Sequence, residues 1–131
     1  MIERYTLPEM GNIWTEDFKF SSWLKIEILA CEARYEMGDI SIKDLDVIKQ
    51  KANFNSKRVL EIEETTKHDV IAFLTNVAEY VGEESRHIHY GMTSSDILDT
   101  SLSIQMKSSG ELLLKKLNGF KWYFTNLYSC F

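Results

Sequence analysis

Apolar residues recur at three- and four-residue steps along most of this chain, the period of a helix with one buried face. Phe20, Leu24, Ile28, Cys31 and Tyr35 form the first stripe, and Gly38 ends it. Ser41 with Asp44 caps a short helix carrying Leu45 and Ile48, and Asn55 opens another through Val59, Leu60 and Ile62. Val70, Phe73, Leu74, Val77 and Val81 then predict a helix over Asp69–Val81, stopped by Gly82. Thr93 and Asp96 read as a capping pair for a last helix that continues through Leu98, Leu102, Met106, Leu113 and Leu117. The opening is different: Arg4 and Tyr5 precede Pro8 and Gly11, which predicts an extended or turning lead-in with no helix.

One proline and six glycines in 131 residues favour helix throughout, so the expected class is all-α, one domain at most. With 44% hydrophobic and 27% charged residues the composition is that of a soluble globular protein. The net charge of −5, with no block of lysine and arginine, argues against a nucleic-acid surface. Neither a secretory signal nor a membrane span is visible. Cys31 and Cys130 are isolated thiols without metal-ligand spacing, read as reduced cysteines in a cytoplasmic protein. His87 and His89 lack further cysteine or histidine partners, so no metal is expected.

The chemistry concentrates in residues 66–100. Lys67, His68 and Asp69 stand immediately before one apolar helical run, and Thr93, Ser94 and Ser95 before the next. The helix between them is about 20 Å long. Residues 83–92 can reach up to about 33 Å if extended, enough to return Thr93 to His68. Two helix starts brought face to face would offer unpaired N–H groups and two positive dipole ends to a phosphate or carboxylate. Lys67 would add a full charge and His68 a group that exchanges protons near neutrality. The plainer alternative is that T-S-S-D is an ordinary helix cap and His68 a surface histidine.

The segments R-Y-T-L-P-E-M-G, T-K-H-D-V-I-A-F-L and G-M-T-S-S-D-I-L-D-T, in this order, resemble the N-terminal region of the adenylosuccinate lyases, within the fumarase and aspartase superfamily. The resemblance covers about residues 1–117. It implies an N-terminal helical lyase domain over 1–93 and the first helix of a central bundle over 94–117. It also implies elimination of fumarate from adenylosuccinate and from the succinylated carboxamide ribotide of purine synthesis, with a nucleotide substrate, no cofactor, and a homotetramer with shared sites.

Residue by residue, the resemblance places Arg4 and Tyr5 at the nucleotide phosphate. It places Lys67, His68 and Asp69, with Thr93 and Ser94, on the substrate, and His89 and Ser95 beside the site. His68 is the catalytic candidate, as proton donor or as phosphate ligand. The family's second histidine motif and serine loop have no counterpart here, so the chain is expected to be inactive alone. The alternative function is that of a non-catalytic helical interaction chain. After Glu111 no acidic residue occurs, and six aromatic rings fall within 120–131. That composition shift marks 118–131 as an aberrant tail, with an altered reading frame or a misassigned exon end as its expected origin.

Overall fold

The computed structural model describes residues 2–128. Cys130 and the end of the expected tail lie outside the described residues. Among those described there are six α-helices, two short 3-10 segments at Glu3–Tyr5 and Glu83–His87, and no strand. The helices are α1 (Pro8–Ile13), α2 (Glu16–Glu36), α3 (Ile42–Lys51), α4 (Ser56–Thr66), α5 (Asp69–Val81) and α6 (Ser94–Tyr128). The all-α class is the observed one.

Local chemistry sets the helix starts. Thr15, Ser41 and Asn55 each accept a backbone N–H from three residues on, at 3.2, 3.2 and 3.1 Å. This satisfies one of the donors that a helix leaves unpaired at its start. The lead-in corrects the expectation: Glu3–Tyr5 is a 3-10 turn and α1 is helical from Pro8. Proline at the first helical position loses no intrahelical bond and its φ is already helical, so Pro8 begins a helix where an extended or turning lead-in was expected.

The core is aromatic at its centre. Phe20 stacks on Phe73 with centroids 5.7 Å apart, and Trp23 meets Phe73 edge-on at 5.4 Å. Phe54 closes the cluster against Phe20 and Phe73 at 6.0 and 6.2 Å. Cys31, Ile40, Leu45, Ile48, Val59, Val70, Ala72, Val77, Val81 and Ile97 are buried around it. Truncating a buried ring of this kind costs about 3–5 kcal/mol. α4 and α5 therefore pack as a hairpin against α2, and the turn between them sits at the edge of the core.

α6 is a single rod of 35 residues, about 52 Å long at the helical rise. It passes Gly110 and Gly119 without a break, so the described part of the composition shift continues the helix with no element boundary. Its inward face is Ile97, Ser101 and Gln105. Gln105 donates to the carbonyl of Ile13 at 2.9 Å, Trp14 Nε1 donates to Ser109 Oγ at 3.1 Å, and Lys116 pairs with Glu9 at 2.6 Å. Of the stripe Leu98, Leu102, Met106, Leu113 and Leu117 that predicts the helix, Leu98 packs against the core and the other four are exposed, Leu113 at 61%.

Candidate functional site

Lys67 and His68 are the whole connection between α4 and α5. Lys67 takes the left-handed conformation at φ 53° and donates its N–H to Glu63 O at 2.8 Å, closing α4. Glycine usually fills such a position, because a side chain there meets the following carbonyl. His68 is extended and caps α5: its Nδ1 accepts the N–H of Ile71 at 3.4 Å, and Thr66 Oγ1 donates to its carbonyl at 3.2 Å. A ring that accepts at Nδ1 carries its proton on Nε2, so neutral His68 presents a donor outward. Asp69 takes the N–H of Val70 at 2.7 Å and lies 3.5 Å from His68 Nδ1.

Two of the first backbone donors of α5 are thus already used by its own side chains. What remains for an anion at this turn is the Lys67 ammonium, the His68 Nε2–H and the dipole. Glu63 and Glu64 line the same shallow depression as Lys67 and offset part of its charge.

The return segment is anchored elsewhere. Arg34 donates to the carbonyl of His87 at 3.1 Å and lies over the Tyr90 ring at 4.3 Å. His87 Nε2 is 3.2 Å from Asp44 Oδ2, with Arg86 on the same carboxylate at 3.6 Å. His89 adopts φ 63°, and its backbone N–H donates to Glu27 Oε2 at 2.8 Å while its Nδ1 lies 2.6 Å from Glu27 Oε1. Glu27 is 1% exposed on the inward face of α2.

Sequence reasoning missed Glu27. Its signal was its place in the apolar stripe, between Trp23 and Cys31 at a four-residue step from each, where a carboxylate has no reason to be unless a partner meets it.

Thr93 caps α6 with half of the expected box: its N–H donates to Asp96 Oδ2 at 2.7 Å. The hydroxyls of Thr93, Ser94 and Ser95 make no hydrogen bond to other described residues and stay available to a ligand. Arg4 is exposed and stacks on Tyr5 at 4.8 Å. Tyr5 shares an apolar depression with Ile2, Met10 and Leu113. Leu113 lies 19 residues along α6 from Ser94, about 28 Å away.

The candidate residues therefore form three groups in one chain, at 4–5, 67–69 and 89–95. Among the described residues no hydrogen bond or ion pair joins 67–69 to 93–95. Residues 87–89 are tied to α2 and α3 through Arg34, Glu27 and Asp44, and the return segment begins as a 3-10 turn, so it does not run back fully extended. No set of three or more His, Cys, Asp or Glu capable of holding a metal occurs among the described residues. No helix there is long and apolar enough to cross a membrane.

A family model described as Lyase matches residues 3–127. The chain belongs to this lyase family. It is 58% identical over 117 residues to the adenylosuccinate lyase of Synechocystis sp., covering 89% of the chain and 27% of that protein. It is 50% identical over 120 residues to the adenylosuccinate lyase of Bacillus subtilis, covering 92% and 28%. The chain thus spans a little over a quarter of the length of these curated relatives. A fumarate lyase from Mesorhizobium sp. shares the fold, with a TM-score of 0.76 at 18% identity, over 83% of this chain and 26% of that one.

Proposed function

We propose that this chain provides part of a cytoplasmic adenylosuccinate lyase site, which releases fumarate from adenylosuccinate to leave AMP and acts likewise on the succinylated carboxamide ribotide. The observation that carries this is the Lys67–His68–Asp69 turn, set between two packed helices with the His68 imidazole capping the second, in a chain 58% identical to a relative of that name. In such an elimination a base takes the proton beside a carboxylate, the C–N bond breaks as a double bond forms, and an acid protonates the departing nitrogen. His68 Nε2–H would serve as that acid or hold the nucleotide phosphate. Thr93 and Ser94 would bind anionic oxygens at the start of α6, with Arg4 and Tyr5 at the phosphate and Ser95 supporting the cap.

The distance of the Arg4–Tyr5 depression from the start of α6 fits a site shared between subunits. Base and second histidine would come from sequence outside this chain, in a homotetrameric assembly. The test mixes the purified chain with the remaining length of the Bacillus subtilis relative and follows adenylosuccinate spectrophotometrically. Turnover that His68→Ala abolishes supports the assignment, and turnover indifferent to His68→Ala sinks it.

A second reading has one observation in its favour. Leu113, Leu114, Leu117 and Phe120 are all exposed on α6, as expected of a non-catalytic helical interaction chain that enters lyase oligomers. Co-elution with the complementary length and no turnover would select it.

A further inference from the structure

We propose that Glu27 is a positioning residue that holds the His89 imidazole with its proton on Nδ1, so that Nε2 is presented as a proton acceptor beside the start of α6. Glu27 is 1% exposed, and both its oxygens are committed to one residue: Oε2 to the backbone N–H of His89 at 2.8 Å and Oε1 to the ring Nδ1 at 2.6 Å. A carboxylate sealed from water needs donors at both oxygens, and the backbone can supply only one of them. For the ionised carboxylate that second donor is Nδ1–H.

The same two contacts hold the residue in the left-handed region at φ 63°, a conformation costly for a histidine and sustained here by the buried carboxylate. Nε2 makes no hydrogen bond to other described residues, and the His89 side chain keeps 20% of its surface exposed. The carbonyl of His89 accepts from Met92 N at 3.3 Å, and this turn leads directly into Thr93.

The consequence is a pair of opposite histidines. His68 accepts at Nδ1 and offers a donor, whereas His89 donates at Nδ1 and offers an acceptor. That His89 Nε2 would face a bound anion's proton at the Thr93 helix start rests on the proposed function; the ring's tautomer does not.

The test is therefore spectroscopic and needs no turnover. The 131-residue chain is labelled with 15N-histidine, and the His89 signals are assigned by their loss in His89→Gln. They are read at a pH where the ring shifts no longer change. The wild-type ring is expected to show a pyrrole-type Nδ1 and a pyridine-type Nε2, opposite to the form a solvated histidine favours.

In Glu27→Gln the amide oxygen must take the backbone N–H, which turns the amide NH2 toward Nδ1 and forces the ring proton to Nε2. The tautomer is expected to invert. A pyridine-type Nδ1 in the wild type overturns the proposal, as does a folded Glu27→Gln chain that keeps Nδ1–H. Should that variant lose its helical circular dichroism, the wild-type spectrum decides alone.

Discussion

Asn76, buried on α5, accepts the backbone N–H of Asn55 with Oδ1 at 2.8 Å and donates Nδ2 to Glu79 at 2.9 Å. One side chain thereby fixes the residue that caps α4 and orders the carboxylate that receives Arg58. Asn76→Ala would leave the Asn55 N–H unpaired in a part-buried place, a loss of about 1–3 kcal/mol. Urea unfolding followed at the helical band should show a lower midpoint with an unchanged slope.

Lys67 offers the opposite case. Because it closes α4 at φ 53°, Lys67→Gly should raise stability by about 1 kcal/mol through relief of the left-handed strain. Its N–H bond to Glu63 would remain. The same substitution removes the ammonium expected to meet a substrate anion. In the reconstituted assembly it should therefore raise KM while the melting temperature rises, and a fall in both would contradict the conformational account.

Acid should weaken the α4–α5 hairpin through Glu79. The Arg58 guanidinium, and after it the Asn76 amide, hold the Glu79 carboxyl below the usual carboxylate range. A folded-state pKa below the unfolded one adds stability above the unfolded value, which is lost as pH falls through the folded one. The loss therefore begins near the ordinary carboxylate value of about 4.3 and continues below it. Glu79→Gln should flatten the slope of stability against pH in that window and leave the slope near neutrality unchanged.

Cys31 should be inert in the folded chain. Burial, reinforced by the Glu27 carboxylate, pushes its thiol up to about 11 from an ordinary 9.0. This lowers the thiolate fraction about a hundredfold at neutral pH. With Cys130 replaced by serine, iodoacetamide should label Cys31 only as fast as the chain opens, and addition of urea past the unfolding midpoint should restore ordinary reactivity.

Much of this architecture was legible from spacing. The helix over Asp69–Val81 and the caps at Ser41 and Asn55 follow from apolar period and side-chain acceptors, both local properties. Pro8 was misread because the same fixed φ serves a turn or a first helical residue, and only docking decides: Ile13 and Trp14, at the other end of α1, are held by Gln105 and Ser109 of α6.

Glu27 was invisible for a related reason. A charged residue on an apolar stripe announces that a partner exists, but the partner lies 62 residues away. The inward face of α6 was hidden too, since Ser101 and Gln105 read as polar while the leucines beside them face outward. The motifs name the candidate residues, but how residues 87–89 bind α2 and α3 is something no local pattern records.

The rod of α6 is gripped unevenly. Burial and side-chain bonds hold it up to Lys116, whereas residues 117–126 are exposed, and their rings chiefly meet one another, as Phe120 and Phe124 do at 4.5 Å. Amide protons along this one helix should therefore exchange in a gradient, slowest near Ile97 and Ser101 and fastest past Gly119. Fraying from that end would shorten the rod without disturbing the body. Its outer turns can thus melt and re-form while the aromatic cluster of Phe20, Trp23 and Phe73 stays closed.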